Sequence, residues 1–251
     1  MNANRPLRVA TYNIHKCRGL DRKTMPERIA EIIRQLDADV VCLQEVVHAP
    51  GGSQAFNQAE RIAESLGEYA WSFGENRSLH GGAYGNMTLS RLPIVQCKNH
   101  DITHKRREER GVLQTDVEMQ NGQVLHVFNV HLGTGYIERR YQAQHLLSER
   151  VLAQTGRSPR LVLGDFNEWT RGLTTKLLRE TFRNVEPVHA FQFRRTFPGL
   201  LPLMTLDHIY YETPLELEET MLWRNRMALV ASDHLPLVAT FRISANKINP
   251  P

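Results

Sequence analysis

The alternation of apolar runs with polar stretches predicts strands interspersed with helices along most of the chain. Short apolar runs rich in β-branched residues are typical of buried strands. Between the first two runs, apolar residues recur at helical spacing from Ile29 to Leu36, and Thr24 and Glu27 have the spacing of a capping box, so a helix is predicted over residues 25–36. The predicted strands cover residues 7–14, 39–43, 87–89, 94–97, 112–119, 124–130, 160–163, 204–211 and 235–241.

Turn signals and the order of the elements predict how the strands pair. Asn121–Gly122 separates two strand-like segments, which is a strong signal for a β-hairpin. Further helices are predicted over residues 56–66 and 137–152. Strand–helix–strand units combined with an antiparallel hairpin predict an α/β fold with mixed sheets. The chain has no linker rich in Pro, Gly or Ser, so a single domain over residues 1–251 is expected, with its core at about 7–242.

Three short segments at strand ends carry residues that are suited to phosphate chemistry. LQEV occupies residues 43–46, GDFN residues 164–167 and SDHLPL residues 232–237, and each ends or follows an apolar run. Each half of the chain has a strand with an acidic residue at its C-terminal end, which predicts two packed sheets that meet at one edge. Hard oxygen ligands together with an imidazole are what Mg²⁺ and a transferring phosphoryl group require.

The first candidates are residues that could bind or orient a metal ion. Glu45 directly follows the predicted strand 39–43, and a carboxylate at a strand end is well placed for a hard cation; a solvated loop acid is the alternative. Asn13 ends the first strand, where its amide could orient a phosphate oxygen or bond a ligating carboxylate, unless it is only a turn residue. Asp233 precedes the last strand and could bind metal directly or through water.

The GDFN segment supplies a carboxylate and an amide two residues apart. In a strand-like turn alternate residues point the same way, so Asp165 and Asn167 are expected to reach one atom. Asp165 could orient or deprotonate the attacking water, and Asn167 could donate to a phosphoryl oxygen and stabilise charge in the transition state. Gly164 permits the tight backbone of this turn.

Two histidines are candidates for proton transfer. His234 could act as a base or donate to the phosphate, and Asp207, in TLDHIYY, could hold it in one tautomer. His131 follows strand 124–130 and could protonate the leaving oxygen. A lone histidine at a strand end is usually structural, and the presence of the other segments is what favours a catalytic role for His131.

Residues near these segments are candidate substrate contacts. Tyr84 and Asn86, in YGNMTLSR, are predicted to contact substrate, the alternative being a packed strand edge. Arg110 closes the basic cluster HKRREER, which is predicted to form either a substrate-facing loop or an ordinary solvated one, because the glutamates beside it partly cancel its charge. The loops that would set specificity are predicted at residues 48–56, 72–85, 100–110 and 191–204.

Composition narrows the class of protein only modestly. The chain has 251 residues, of which 41% are hydrophobic and 23% charged, as in an ordinary globular protein with a buried core. The formal net charge of +4 favours a phosphate-bearing partner but equally fits a chance surface imbalance. The three cysteines are too widely spaced to indicate a disulfide framework. No secretory signal or membrane-length apolar run is apparent, so a cytoplasmic location is expected.

Taken together and in this order, the motifs of the chain resemble those of the endonuclease/exonuclease/phosphatase superfamily, which includes deoxyribonucleases, abasic-site endonucleases, sphingomyelinases and inositol 5-phosphatases. The motifs are TYNIH, LQEV, GNMTLSRLPI, NVHLG, GDFN, LDHIYY and SDHLPL. The resemblance spans about residues 7–241 and is closest to the small bacterial members of YbhP type. It implies a four-layer α/β sandwich, in which two packed mixed β-sheets are flanked by helices and the active site lies where the sheets meet.

The resemblance also implies a role for each motif residue. Carried over by position, the metal site would consist of Glu45, Asn13 and Asp233, and the catalytic residues would be His131, Asp165, Asn167, Asp207 and His234. The implied cofactor is Mg²⁺, with Mn²⁺ as a substitute. Some branches carry an acid two residues after the asparagine of the first motif, where it helps to hold metal. Here that residue is His15, so the resemblance supports one metal ion at Glu45 and leaves open whether a second ion binds.

The sequence therefore predicts a Mg²⁺-dependent phosphoester hydrolase, first of all a phosphodiesterase on nucleic acid or a phospholipid headgroup, acting by in-line attack of water. A phosphomonoesterase on a small phosphorylated substrate is the alternative activity. A binding protein that kept the fold and lost catalysis is a rival from another class. A nucleic-acid binder acting through the basic loop is disfavoured by a net charge of only +4. The sequence makes no prediction about the oligomeric state.

Overall fold

Two β-sheets pack face to face, and helices cover their outer faces. The computed structural model describes residues 5–52, 57–79, 81–148, 150–152, 158–169, 172–185, 196–198 and 204–244. Each sheet has six strands, and separate apolar clusters fill the layer between the sheets and the layers beneath the helices. The order helix–sheet–sheet–helix confirms the predicted four-layer α/β sandwich.

Strands and helices follow one another along the chain. The strands are β1 (Leu7–Asn13), β2 (Val40–His48), β3 (Ala70–Leu79), β4 (Gly82–Ser90), β5 (Ile94–Asp101), β6 (Gly111–Glu118), β7 (Val124–His131), β8 (Arg160–Asp165), β9 (Arg183–Asn184), β10 (Asp207–Tyr211), β11 (Leu215–Leu222) and β12 (Leu237–Ile243). The helices are α1 (Pro26–Leu36), α2 (Gln58–Leu66), α3 (Tyr136–Leu146), α4 (Leu173–Arg179) and α5 (Arg226–Ala231).

Each sheet is built around one parallel pair of strands. The strand orders are β11-β12-β1-β2-β4-β3 and β5-β6-β7-β8-β10-β9. β1 and β2 run parallel and are connected through α1, and β7 and β8 run parallel and are connected through α3. The other neighbours are antiparallel, so both sheets are mixed as predicted. Because parallel neighbours end on the same side, each pair delivers its last residues to one edge of its sheet.

Apolar side chains fill the layers of the sandwich. Between the sheets, Val9 and Leu163 are fully buried among other aliphatic residues. On the outer face of the first sheet, α1 buries Ile29, Ile32 and Ile33, as their helical spacing predicted. Full burial of a side chain of this size contributes about 1.5–3 kcal/mol. Packing of the amphipathic faces therefore holds the layers together more than helix propensity does.

A polar network crosses the otherwise apolar layer between the sheets. Asn129 on β7 is fully buried, and its Nδ2 donates to Leu43 O (3.0 Å) and to Met87 O (2.9 Å). Gln44 Nε2 donates to Asn129 Oδ1 (2.8 Å) and to Thr11 Oγ1 (3.1 Å). These hydrogen bonds satisfy buried polar groups and tie β7 of one sheet to β2 and β4 of the other.

Replacing Asn129 with alanine is expected to lower the free energy of unfolding by about 3 kcal/mol, because two backbone carbonyls and the Gln44 amide would lose a partner inside the core. Urea denaturation followed by circular dichroism measures this loss. Gln120→Ala, in the exposed turn between β6 and β7, is the matched control and is expected to change stability by less than about 0.5 kcal/mol. Equal losses in the two variants would contradict the importance of the network.

Two edge strands lie where the sequence predicts none. β3 (AWSFGENRSL) contains glycine and scattered polar residues, and β11 (LELEETML) is rich in glutamate, so neither has a composition typical of strands. The prediction of a specificity loop at residues 72–85 is wrong, because residues of this stretch belong to the paired strands β3 and β4. The short elements β9, α4 and α5 are also missing from the prediction. The predicted start of α2 at 56 and parts of the loops expected at 48–56 and 191–204 lie outside the described residues.

Helix ends differ from the prediction for identifiable reasons. α1 begins at Pro26 with Met25 in the N-cap position and no side-chain cap, so the capping box expected from Thr24 and Glu27 does not form. Proline starts the helix instead. Backbone N–H groups in the first turn have no partner within the helix, so the missing N–H of proline costs nothing there. α3 ends at Leu146 instead of 152, where a serine hydroxyl bonds to a carbonyl of the last turn. Within the part of the chain that the structure describes, no helix combines the length and apolarity needed to cross a bilayer.

Candidate active site

Residues from both sheets converge where the parallel pairs end. Asp165 ends β8 and is the cross-strand neighbour of His131 on β7 and of Asp207 on β10. Neighbouring strands lie about 4.8 Å apart, so these three side chains are within reach of one another. Asn13, at the end of β1 in the other sheet, donates from Nδ2 to Asp165 Oδ2 (2.9 Å). The two sheets are thereby joined at the candidate site.

The Asp165 carboxylate is the centre of the site. Its Oδ2 lies 3.7 Å from Nε2 of His131 and 3.7 Å from Nε2 of His234. These distances are too long for hydrogen bonds, so the contacts are electrostatic. Burial raises the pKa of Asp165 to about 6, although the charge of His234 opposes the rise. Asp165 is therefore a buried carboxyl group that exchanges its proton close to neutral pH.

A tight turn after β8 sets the positions of Asp165 and Asn167. A Cβ at Gly164, where φ is 150°, would lie 1.9 Å from Val130 O, so only glycine fits. Asn167 has a φ of 48°, its backbone N donates to Asp165 Oδ1 (2.8 Å), and its Nδ2 donates to Leu132 O (2.9 Å). The strand-like turn expected from the sequence is thus wrong, because a left-handed residue leaves the strand alternation. One of the two N–H groups of Asn167 Nδ2 is therefore hydrogen-bonded to the backbone.

His234 and Asp207 form a buried pair of opposite charge. Nδ1 of His234 donates to Asp207 Oδ2 (2.8 Å). Burial alone would lower the pKa of His234, but the carboxylates of Asp207 and Asp165 outweigh it and raise the pKa to about 10. His234 is therefore an imidazolium at neutral pH, and its second proton is on Nε2, the atom that faces Asp165. The contact that the sequence predicts between Asp207 and His234 is present.

His131 is held by Arg110 and is electrically neutral. Arg110 Nη1 lies 3.1 Å from Nδ1 of His131, and Arg110 Nη2 donates to Glu108 Oε2 (2.8 Å). Arg110 Nη1 also lies 3.3 Å from Nε2 of His131, and because a guanidinium only donates, the ring nitrogen that accepts from it carries no proton. Burial, followed by the charge of Arg110, holds the pKa of His131 well below its usual range. The two imidazoles that face Asp165 therefore differ in charge, since His131 is neutral and His234 is cationic.

A bulge in β2 turns Glu45 into the site. The strand continues past the predicted end at 43, and its pairing with β4 shifts register between Leu43 and Val46. Glu45 has a φ of 60°, a left-handed conformation that non-glycine residues adopt mainly where the surroundings enforce it. Its Oε1 accepts from Asn13 Nδ2 (3.3 Å), and its Oε2 accepts from Lys16 Nζ (2.5 Å).

The charge of Glu45 is maintained by cations around it. Burial tends to raise the pKa of Glu45, but interactions with His131 and with the ammonium of Lys16 outweigh burial and lower the pKa to about 2. Because His131 is neutral beside Arg110, we assign the effect mainly to the ammonium of Lys16, which touches the carboxylate. Glu45 is therefore anionic throughout the physiological pH range.

Ser232 and Asp233 attach the last segment to the end of β1. Ser232 Oγ donates to Asn13 O (2.8 Å) and accepts from the backbone N of His234 (3.2 Å). Oδ1 of Asp233 lies 3.3 Å from Nδ1 of His15. Burial would raise the pKa of Asp233, but His15 and His234 lower it overall, so this carboxylate is also anionic.

The donor set formed by Glu45 and Asp233 fits a hard divalent cation. Both are anionic carboxylates at the same edge of the first sheet, and carboxylate oxygens are preferred ligands of Mg²⁺ and Mn²⁺. Asn13 donates from Nδ2 to Glu45 and Asp165, and its Oδ1 accepts from the backbone N of His15 (3.0 Å). Asn13 is therefore better suited to orienting the carboxylates, the second of the two roles expected for it, than to binding the ion itself.

A second group of potential ligands lies deeper in the site. Donor atoms of Asp165, Asp207 and His234 all lie within 4.8 Å of one another. An imidazolium carries a proton on both nitrogens and offers no lone pair to a metal. A metal ion could bind His234 here only by displacing a proton that the neighbouring carboxylates stabilise, so we interpret this cluster first as a proton-transfer unit.

The predicted substrate contacts lie at different depths. The ring of Tyr84 is buried on β4, and Lys16 Nζ lies 5.8 Å from its centre, which places Tyr84 beside Glu45 and Lys16. Asn86 is fully buried and donates from Nδ2 to Gly111 O (3.1 Å) and Asn129 O (3.2 Å). The structure therefore corrects the expectation for Asn86: the interior strand β4 carries it into the layer between the sheets, where it links strands instead of facing a substrate.

Arg110 and the rest of the basic loop have different surroundings. Arg110 is only 5% exposed and lies against His131, so it supports the site from within and is not on an exposed loop. The rest of the loop and the start of α3 line an open groove of about 1040 Å³, to which they contribute Lys105, Arg106, Arg107, Tyr136 and Ile137. Cations beside exposed apolar side chains suit a polyanion with apolar parts.

Lys16 and Phe197 are residues of the site that the sequence analysis does not single out. Lys16 follows the first motif directly, and a charged residue in that position was the signal that could have identified it. The ring of Phe197 lies 5.0 Å from the ring of His234, and the half-exposed Trp169 lies 6.5 Å from Phe197. The sequence around Phe197 reads as a loop and gives no signal of this contact. These aromatic rings form a rim beside His234.

Comparison with known proteins identifies the family. A model of the Endonuclease/Exonuclease/phosphatase family matches residues 10–234. The Escherichia coli protein YbhP is 34% identical over 254 aligned residues, which cover 94% of this chain and 96% of YbhP. The solved endonuclease/exonuclease/phosphatase of Beutenbergia cavernae has a TM-score of 0.74 at 23% identity and covers 96% of this chain and 72% of its own. The mannosyl-6-phosphatase of Bacteroides thetaiotaomicron has a TM-score of 0.72 at 18% identity, covering 94% and 97%.

These likenesses carry different weight. The two solved structures are less than 25% identical to this chain, so they show only that the fold is shared. The family match runs from β1 to His234 and includes every strand end that contributes to the site. The chain therefore belongs to the endonuclease/exonuclease/phosphatase family.

Proposed function

We propose that this protein is a phosphoester hydrolase that depends on a divalent metal ion, Mg²⁺ or Mn²⁺, and acts first of all on phosphodiesters. The observation that carries the proposal is the arrangement around Asp165, a buried carboxylate that faces a neutral imidazole and an imidazolium at equal distances of 3.7 Å. Such a set can orient water, move a proton and offset phosphoryl charge within one site. Membership of the family supports phosphoester chemistry.

The metal site in this proposal is a pair of carboxylates, Glu45 on β2 and Asp233 in the segment between α5 and β12. A bound divalent ion would supply charge and Lewis acidity at the phosphoryl oxygens. Glu45 and Asp233 would hold it, and Asn13 would keep Glu45 and Asp165 in fixed relative positions through its amide. Both ligands are already ionised at neutral pH, so they need not lose a proton before they bind a cation.

The proton-transfer groups lie on the second sheet and on the last segment. Asp165, with a pKa of about 6, orients the attacking water and accepts its proton. His234 donates from Nε2 to a phosphoryl oxygen, and Asp207 keeps the ring charged for this role. In the tautomer that carries its proton on Nε2, His131 donates a hydrogen bond from that atom towards the leaving oxygen. Because its pKa is low, we assign His131 hydrogen-bond donation only, so the leaving oxygen takes up its proton from solvent after its bond to phosphorus breaks.

The amide of Asn167 completes the set of donors. One N–H of Nδ2 donates to Leu132 O (2.9 Å), which fixes the plane of the amide. The other N–H of the same group is available to a phosphoryl oxygen, in the role that the sequence predicts. A preoriented donor of this kind stabilises charge that develops in the transition state at little cost in reorganisation.

Removal of a phosphomonoester is the second candidate function. Among the described residues, the cations Lys16, Arg110 and His234 lie at the site, and this concentration of positive charge suits the dianion of a monoester as well as a diester. The similarly folded mannosyl-6-phosphatase is, by its name, an enzyme of this kind. The basic and apolar groove beside α3 supports the diester because it would accommodate a longer substrate, either nucleic acid or a phospholipid headgroup.

Turnover of two model compounds tests the proposal. Purified protein is expected to hydrolyse bis(p-nitrophenyl) phosphate faster than p-nitrophenyl phosphate in Mg²⁺ or Mn²⁺, and to hydrolyse neither after treatment with EDTA. The release of p-nitrophenolate is followed by absorbance. Turnover of the monoester alone would favour the phosphomonoesterase. No turnover of either compound with any divalent ion would favour a binding protein of the same fold.

A further inference from the structure

The turn that follows β1 has an unusual backbone. His15, Lys16 and Cys17 have φ angles of 45°, 55° and 55°, so three consecutive non-glycine residues are left-handed. Both ends of the turn are held in place, because the backbone N of His15 donates to Asn13 Oδ1 (3.0 Å) and Cys17 is fully buried. A strained backbone of this kind persists only where the surrounding structure enforces it. The position of Lys16 is therefore imposed by the fold.

This turn places the ammonium of Lys16 on Glu45. Nζ donates to Glu45 Oε2 (2.5 Å) and lies 5.8 Å from the centre of the Tyr84 ring. Gln58 Nε2 donates to the backbone O of Lys16 (2.6 Å), so the backbone of the lysine is anchored to α2. The side chain of Lys16 is nevertheless 38% exposed, whereas that of Glu45 is 19% exposed. The ammonium thus lies at the open side of the site.

Lys16 and a divalent cation would occupy the same carboxylate. Both oxygens of Glu45 already accept a hydrogen bond, Oε1 from Asn13 and Oε2 from Lys16. Two cations on one partly buried carboxylate repel each other at the short distance involved. Binding of a divalent ion to Glu45 therefore displaces the ammonium. The flexible four-carbon stem of lysine permits this movement while the backbone stays in place.

We propose that Lys16 is a movable cation of the site, which neutralises Glu45 when no divalent ion is bound and contacts the phosphoryl group of the substrate once the ion has taken its place. The second half of this proposal rests on the proposed function. His15, the neighbour of Lys16, faces Asp233, so the turn adds no carboxylate for a second ion. Lys16 supplies the positive charge that a second ion would bring, and the site binds one divalent cation.

Metal binding in the absence of substrate tests the first half. Mn²⁺ is titrated into the wild type, Lys16→Met and Lys98→Met, with free Mn²⁺ measured by electron paramagnetic resonance. Lys98→Met removes one exposed ammonium from β5 and is the control for net charge. The wild type is expected to bind one Mn²⁺ per chain, and Lys16→Met to bind it on the order of tenfold more tightly, a factor that corresponds to about 1.4 kcal/mol. Lys98→Met is expected to match the wild type.

Two results of this titration would overturn the proposal. One is Mn²⁺ binding by Lys16→Met that is equal to or weaker than that of the wild type, and the other is a stoichiometry of two ions in the wild type. Circular dichroism establishes that each variant is folded. If Lys16→Met does not fold, Lys16→Gln serves as the neutral variant, and Lys16→Arg, which keeps the charge, is expected to bind Mn²⁺ as the wild type does.

Phosphate binding tests the second half. Calorimetric titration of inorganic phosphate into the Mn²⁺-saturated proteins is expected to show roughly tenfold weaker affinity in Lys16→Met than in Lys98→Met, with partial recovery in Lys16→Arg. If the role of Lys16 were merely structural, its substitution would change stability and leave phosphate affinity unchanged. That result would overturn the second half of the proposal. Neither titration requires turnover, so a wild type that hydrolyses no phosphoester would count against the proposed function and leave the role of Lys16 decided by the titrations.

Discussion

Replacing Glu45 with glutamine is expected to reduce metal-dependent hydrolysis of a phosphodiester by about 10³-fold, or about 4 kcal/mol of transition-state stabilisation. Glutamine keeps the size of the side chain and still accepts a hydrogen bond from Asn13, but it lacks the charge that attracts a divalent ion. Since the pKa of Glu45 is about 2, the wild-type side chain carries this charge at every pH of a practical assay. Binding of Mn²⁺ is expected to weaken in parallel with the loss of activity.

The measurement is kcat/KM on bis(p-nitrophenyl) phosphate at several concentrations of Mg²⁺. Glu64→Gln, which removes an exposed carboxylate from α2, is the matched control and is expected to retain the wild-type rate. If Glu45→Gln hydrolysed the diester as fast as the control, the essential ion would have to be held elsewhere. The deeper cluster of Asp165, Asp207 and His234 would then be the next candidate.

Asp207→Asn is expected to lower kcat by about 10³–10⁴-fold, the effect of removing the carboxylate that supports a catalytic histidine in other hydrolases. The amide lacks the negative charge that keeps His234 protonated, and it can present an N–H to Nδ1 and so favour the wrong tautomer. The pKa of His234, about 10 with Asp207 present, is expected to fall. Nitrogen NMR of the imidazole at neutral pH would detect this loss of protonation directly.

The chain contains a matched control for this substitution. Nδ1 of His126 donates to Asp116 Oδ1 (2.7 Å), and this partly buried pair lies on β6 and β7. His126 is about 16 Å from His131 along the strand, at about 3.3 Å per residue. Asp116→Asn is expected to keep the wild-type kcat and to lower stability only. Similar losses of activity in both variants would mean that the effect of Asp207 operates through the fold.

The meeting of the motif residues could be predicted from the sequence. The apolar runs that precede Asn13, Asp165 and His131 are long enough to be recognised as buried strands, and polar residues at strand ends in α/β proteins tend to converge. Which side chains touch is a different matter. The bond from Asn13 to Asp165 depends on how the two sheets pack, and periodicity within a strand carries no information about packing between sheets.

The local exceptions in the backbone could not be predicted for a related reason. The bulge at Glu45 and the left-handed turn at Lys16 place non-glycine residues at positive φ, against their intrinsic preferences. Tertiary contacts enforce these conformations, and the side chains they redirect are those of the site. Asn86 is the opposite case. It was expected at the substrate, but its side chain donates hydrogen bonds in the layer between the sheets.

The position of β12 has a consequence for how the protein is made. This strand lies between β11 and β1 in the interior of the first sheet, and the hydrogen bond from Ser232 to Asn13 spans 219 positions of the chain. While the chain emerges from the ribosome, β1 therefore lacks one neighbour until residues 237–243 have been synthesised. A chain still under translation therefore cannot assemble the candidate site before the β12 segment has left the ribosome.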